Sequence, residues 1–409
     1  MRALTARPEH NTMNASSNIT PAHRAPTPSA IVIVAPTSAE LPTCARQHNT
    51  AIAVHLPPHG LPLTHATELP HGCPYAAIVQ HVSLRRTFKE LNAHHVTAVL
   101  AGSAHGINLA EQIAAALGLP TNGSSTAHAR QDRHEQAQAL RQAALPAPCG
   151  MRTTSLTTAT RWMRFLRATE YVLTPANTSV AGARICRSPA DVRVVWPSLQ
   201  RTARNRGGGS DLVLQERLAG PQYVLHTHTH RDLEGAPTHT VTSLWASTRT
   251  ASLLPDRDDQ LDPTNALARS LTRYLQPVLD RLGVRTGPAR TRIVLTPDRG
   301  PILLSLQTTA EPPPTEHRAG HHTTRITLIA PEDAVIDGPT LRTLTCLPTV
   351  SGFTPTLTPG APVTRTIDAD TSPGALTLTS AHPQAITDDH HTIRRAEARG
   401  LYHLARRPR

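Results

Sequence analysis

The apolar residues fall into short runs, and their period changes along the chain. Ile31–Val34 (IVIV), Ala51–Leu56 and Ala76–Gln80 are continuous apolar stretches of strand length. A helix-compatible stretch follows the first of them to Asn49, and Leu84–His94 (LRRTFKELNAH) carries the helical period. Val96–Ala101 is a strand running into Gly102. Ile107–Leu117 is a helix closed by Gly118, Leu119 and Pro120. Strands alternating with helices predict a parallel α/β sheet over residues 30–120.

Beyond Thr121-Asn122-Gly123 the pattern loosens. A helix is predicted over Ala127–Ala144, a helical turn over Trp162–Ala168 and a strand at Tyr171–Leu173. Ala190–Arg204 reads as a helix ending in the flexible run Asn205–Ser210, with a strand at Asp211–Gln215. Gln222–His230 and Thr238–Trp245 alternate as an antiparallel hairpin around Arg231–Ala236. Leu267–Leu282 is a long helix, and Ile293–Thr296 with Ile302–Leu306 forms a second hairpin around Pro297–Gly300. From 320 onward short Thr-rich strands lead to a helix at Asp389–Arg399. No internal repeat is present.

Composition then narrows the classes. The 409 residues suit two or three domains, and aromatic residues are only 3%, so Leu, Val, Ile and Ala must make the core. No apolar run is long enough for a membrane-spanning helix. Five cysteines without a CxxC argue against a disulfide scaffold or zinc ribbon and make a reduced cytoplasm the expected location. Residues 1–29 lack an apolar secretory core and read as a disordered tail, or as an extended start with Met13 as initiator. Basic residues number 41 against 29 acidic ones, a net charge of +12, and Lys89 is the single lysine. The excess raises nucleic-acid binding as a rival class, but no arginine run exceeds two and no aromatic platform accompanies them.

Several segments in fixed order resemble one family. Ala101–Gly123 followed by Ala129–Leu140 resembles the entry to an ATP-grasp domain. Gln215–Val224 (QERLAGPQYV) resembles its hinge, and Gly287–Leu306 its metal-binding hairpin. Thr364–Gly374 and Ile393–Tyr402 resemble the C-terminal lobe of the carboxylate–amine ligase branch. The resemblance implies a parallel α/β domain (30–120) and an ATP-grasp domain (121–320) whose α+β lobes, 121–204 and 205–320, clamp a nucleotide. Residues 321–409 would complete the second lobe. It also implies ATP as cofactor, Mg²⁺ on acidic residues, and amide formation through an acyl phosphate between amino-acid or peptide-like molecules.

The same resemblance assigns roles. Arg133 stands at the first phosphate-binding lysine, and Thr174 at the second, where a hydroxyl cannot replace a cation. Asn177, Thr178, Ser179 and Gly182 resemble the small flexible loop over the phosphates, stiffened by Val180 where a glycine is usual. Glu216 and Leu218 match the adenine-edge hinge, and Gln222 the ribose-binding carboxylate. The two metal-binding acids fall on Arg292 and Ser305, with Gln307 and Thr309 in place of the Asn and Arg that follow. Asp298, in the turn, and Glu311, beyond the hairpin, are the nearby acids, so no residue is assigned to metal. The expectation is an ATP-binding protein with weak or lost catalysis; the alternative is an inactive binding or scaffold partner of an active ligase.

One further pattern stands apart. His226, His228 and His230 alternate, so a strand points all three to one face, with His239 on the partner strand as a fourth candidate. The histidines are either a metal site or ordinary polar positions in a chain holding 24 of them.

Overall fold

The computed structural model describes residues 29–36, 50–56, 75–103, 106–166, 168–178, 182–207, 209–309, 320–356, 362–367 and 371–404. The helix expected before Asn49, the tail over 1–29 up to residue 28, Ser179, Val180 and Glu311 lie outside them.

The N-terminal pattern folds as predicted. Strands β1 (Ala30–Val34), β2 (Thr50–His55), β3 (Ala77–Gln80) and β4 (Val96–Ala101) form a fully parallel sheet in the order β3-β2-β1-β4. Helix α1 (Leu84–Leu91) is capped by Ser83, whose side chain accepts from the Arg86 N–H. Helix α2 (Ile107–Ala116) buries Ile107, Ala110 and Ile113 against the sheet. A Cβ at Gly106 would lie 2.4 Å from the Val34 carbonyl oxygen, so only glycine lets α2 start this close to β1.

The helix expected over 127–144 is two helices, α3 (Ala127–Gln131) and α4 (Arg133–Gln142). Asp132 breaks them with extended backbone, and its carboxylate accepts from the His134 and Glu135 N–H groups as the cap of α4. β5 (Gly150–Thr153), β6 (Tyr171–Pro175), β7 (Arg184–Cys186) and β8 (Leu212–Glu216) make an antiparallel sheet in the order β5-β8-β6-β7. α5 (Leu156–Leu166) and α6 (Pro189–Gly207) cover it through Ala159, Met163, Val192, Trp196 and Leu199.

The large sheet runs β13-β12-β9-β10-β11-β14-β18-β16. Its members are β9 (Gln222–Arg231), β10 (Pro237–Arg249), β11 (Pro255–Leu261), β12 (Gly287–Thr296), β13 (Gly300–Gln307), β14 (His322–Thr327), β16 (Val350–Pro355) and β18 (Gly374–Ser380). One face packs on α7 (Ala266–Arg281), whose Leu271, Leu275, Val278 and Leu279 recur at helical spacing against Leu225, Ile293 and Leu306. Ala137 and Leu140 of α4 join the same core. A small sheet of β15 (Ala334–Ile336), β17 (Pro362–Val363) and β19 (Tyr402–Leu404), with α8 (Gly338–Thr345) and α9 (Pro383–Arg399), closes the C-terminal core.

β11 (PDRDDQL) escapes the hydrophobic pattern because charge pairing takes the place of apolar burial. Arg257 bonds Asp259 on the same strand, and Asp259 accepts from the Thr324 hydroxyl of β14. Asp256 bonds His390 and Arg394 of α9. Among the described residues no helix is long and apolar enough to cross a membrane.

The parallel domain is joined to the rest by a buried ion pair, beside a reciprocal amide pair between Asn108 and Gln131 of the same two helices. Arg130 of α3 is fully buried and donates from Nη2 to both oxygens of Glu111 on α2, at 2.6 and 2.7 Å, and to the Gly123 carbonyl. Its Nη1 donates to the Leu282 and Gly283 carbonyls past the end of α7. Burial pushes the Glu111 carboxyl up and the Arg130 guanidinium down, and each opposite charge counters the shift of its partner. Arg130→Met should lower unfolding free energy by about 3–5 kcal/mol, and adding Glu111→Gln should recover part of it. Urea denaturation reads both; a single-variant loss under about 1 kcal/mol, the level of an exposed pair, would show the joint does not depend on this contact.

The His390 hydrogen bond, and then the Arg394 charge, hold the Asp256 carboxyl below the usual carboxylate range. A depressed carboxylate adds stability above its unfolded pKa and loses it as pH falls through the folded one. Asp256→Asn should lower the melting temperature at neutral pH, and the gap to wild type should close below about pH 4. A gap that persists unchanged into strong acid would contradict this assignment.

Candidate functional site

Three elements converge beside the joint: the segment after β6, the end of β8, and the face of the large sheet turned away from α7. Arg133, the first residue of α4, sends its guanidinium onto the segment after β6. Nη1 donates to the Pro175 and Asn177 carbonyls at 2.8 and 2.6 Å, and Nη2 to Thr178 at 3.3 Å. The backbone repeats the tie, with Arg133 N–H on Ala176 and Thr178 N–H on Gln131. Gln307 of β13 donates to the Thr178 carbonyl from the other side at 2.7 Å. Asn177 and Thr178, expected in a flexible phosphate loop, are pinned by these bonds. Gly182 follows with φ +115, buried near Leu199. Thr174 is buried on β6 beside Val213.

The expected hinge follows β8. Glu216 ends β8, and its Oε1 accepts from the Cys149 N–H at 2.8 Å and pairs with Arg299 of the β12–β13 turn at 3.0 Å. The carboxylate thus fastens the hinge to both sheets. Leu218 is half-buried beyond it. A Cβ at Gly220 would lie 2.1 Å from the Leu295 carbonyl oxygen, which fixes how closely the hinge passes β12. Gln222, at the expected ribose position, accepts from Arg292 Nη2 at 3.1 Å.

Sheet register decides the rest. Arg290 and Arg292 are two apart on β12, so they share the face opposite the Ala289, Thr291 and Ile293 core face. Arg292 pairs with Ser305 and Arg290 with Gln307. Arg249, at the end of β10, and Arg133 act on the same region. The Arg249 charge and then burial, followed by Arg290 and Arg133, push the Arg292 guanidinium well down, and Asp258 of β11 opposes them. Burial also lowers Arg133, to about 10. Arg249 Nε, Ser247 Oγ and Asp258 Oδ1 are buried without a hydrogen-bond partner. Linear reading treated these arginines as scattered; the strand period gathers them.

Mg²⁺ does not fit this donor set. The two positions that the resemblance gives to acids hold a guanidinium and a neutral hydroxyl, and further arginines surround them. Among the described residues no three His, Cys, Asp or Glu side chains form a metal-binding group. The histidine pattern divides likewise. His226, His228 and His230 share the arginine face of β9, whereas His239 sits on the other face, bonded to Thr229 Oγ1 and Asp280. The fourth candidate ligand is therefore on the wrong side of the sheet.

No family model matches the sequence, and no curated protein matches it. Solved structures do. The L-amino acid ligase from Bacillus licheniformis superposes with a TM-score of 0.70 at 12% identity, over 93% of this chain and 100% of that one. The carboxyaminoimidazole ribonucleotide synthase from Aspergillus clavatus, complexed with ATP, gives 0.66 at 12%, over 91% and 99%. The biotin carboxylase domain of Hydrogenobacter thermophilus 2-oxoglutarate carboxylase, with MgADP and bicarbonate, gives 0.59 at 12%, over 92% and 90%. The chain has the ATP-grasp fold. Within that fold its neighbours include carboxylate–amine ligases.

Arg133→Met should release the segment over 175–178. Deuterium exchange at the Ala176 and Thr178 amides should speed up and stability should fall by about 2 kcal/mol, as for lost hydrogen bonds to a charged group. Unchanged protection there would show that the backbone bonds alone hold the segment.

Proposed function

We propose that this chain binds a nucleotide between its two lobes and carries out carboxylate–amine ligation weakly or not at all. The observation that carries the second half is the pairing of Arg292 with Ser305 across β12 and β13, with Gln222 turned onto Arg292. Phosphoryl transfer needs charge stabilisation that follows the moving group, and a divalent cation is the usual source. A guanidinium repels that cation and a serine hydroxyl is a poor substitute ligand for it.

Nucleotide binding is supported by what remains. The Glu216–Leu218 hinge is braced on both sides, and the sheet face beyond it is cationic where a triphosphate needs opposite charge. Solved neighbours of this fold are complexed with ATP or MgADP. By likeness to the L-amino acid ligase, the companion ligand is an amino-acid or peptide-like molecule. Glu216, Leu218 and Gln222 would meet the adenosine end, and Ser179 and Gly182 would border the phosphates. The net charge is assigned to this cleft in place of nucleic acid. Cys149, Cys186 and Cys346 are free thiols, which agrees with a cytoplasmic setting.

Thermal melting with ATP and an ADP-release assay with pooled amino acids test both halves. ATP should raise the melting temperature, while ADP release in Mg²⁺ stays at background. Robust Mg²⁺-dependent turnover would overturn the loss of catalysis. No stabilisation by ATP under any condition would remove the nucleotide and leave a scaffold partner of an active ligase.

A further inference from the structure

We infer that the cavity between β4 and the start of β12 binds a small neutral molecule that carries an amide on a short aliphatic body. The site lies outside the nucleotide cleft, since none of Arg133, Glu216, Gln222, Arg292 or Ser305 lines it. Binding here does not depend on a nucleotide.

The space exists because the side chains around it are short. β4 ends the parallel sheet and, among the described residues, pairs with β1 alone. Ala98 and Ala101 of β4 and Ala110 and Ala114 of α2 leave the room, and Pro120 and Pro288 complete the wall. The cavity measures 140 Å³. A cavity of about 150 Å³ holds one benzene molecule, so the ligand has roughly six to eight non-hydrogen atoms.

The polar groups around the cavity decide the chemistry. Gly102 donates to the Val34 carbonyl, so strand alternation turns the Ala101 and Val99 N–H groups away from β1, on the edge that borders the cavity. The carbonyls of the same two residues lie on that edge, so it offers donors and acceptors in turn. Thr308, also in the wall, is 8% exposed, and its hydroxyl is buried without a hydrogen-bond partner. Among the described residues of the wall Glu111 alone is charged, and Arg130 takes both of its oxygens. No charge is left over for an ionic ligand, and burying an unpaired one here would be costly. An amide answers this edge with one carbonyl acceptor and its own N–H donors. Ile107, Ala110 and Ala114 then cover the aliphatic part, where water would face apolar side chains without partners.

Titration of the full chain with isobutyramide, followed through the backbone amide resonances of Val99 and Ala101, tests this. Both resonances should shift saturably, with a dissociation constant on the order of a millimolar, as suits so small a ligand. Isobutyrate, of the same shape but charged, should bind at least about tenfold more weakly. Saturating ATP should leave the isobutyramide affinity unchanged. Ala110→Leu, which fills the cavity, should abolish the shifts. Thr308→Val should weaken binding about fivefold, the scale of one hydrogen bond, and should melt no lower than wild type. No saturable shift at Val99 and Ala101, isobutyrate binding as tightly as the amide, displacement by ATP, or unchanged affinity in both variants would each overturn the inference. The wild-type titrations decide the matter even where Ala110→Leu does not fold.

Discussion

The buried contact between Arg130 and Glu111 is the constraint on which the geometry of the cleft rests. It fastens the parallel domain to α3 and, through the Leu282 and Gly283 carbonyls, to the end of α7. Gly283 takes φ +69 there, and a Cβ on it would come within 2.3 Å of Thr126 Oγ1. Two residues on, Asp132 caps α4 and Arg133 reaches the segment after β6. The Arg130 carbonyl also accepts from Gln136, whose side chain satisfies both the N–H and the carbonyl of Leu306 on β13. The short stretch from Arg130 to Gln136 thus sets the position of both the loop side and the sheet side of the site.

That chain of contacts holds the cleft in shape without calling on a metal ligand. The contacts that position the cleft run through Arg130, Gln136, Glu216 and Gly220, none of which has to carry a metal ion. Ser305 and Arg292 lie on the open face of strands whose other face is locked on α7. Their side chains can differ from those of a metal-dependent enzyme without disturbing the core, because strand pairing is made by the backbone and burial by the alternate residues.

Much of this was legible in the sequence, and the failures share a cause. The parallel domain, the long helix α7 and both hairpins follow from apolar period alone. β11 was missed because its stability comes from Asp256, Arg257 and Asp259 pairing with other elements, which no hydrophobic pattern records. The break at Asp132 was missed because a capping residue in a helical stretch reads as an ordinary polar position until its cap is seen. At the site, Arg292 and Ser305 were identified from their places in the hairpin. The approach of Arg249 was not, since only sheet order sets β10 against β9 and one strand away from β12. The histidine alternation was read correctly as one face, but the side taken by His239 depends on a register shift between Val241 and Ser243.

The central claim is that this cleft takes a nucleotide while Arg292 and Ser305 leave it without the ligands for a catalytic metal ion. A crystal structure of the chain grown with ATP and Mn²⁺, with anomalous scattering collected for manganese, tests it most directly. The account predicts ATP in the cleft with no anomalous peak beside its phosphates. A manganese peak bridging the phosphates to Asp258 or Ser305 would contradict it.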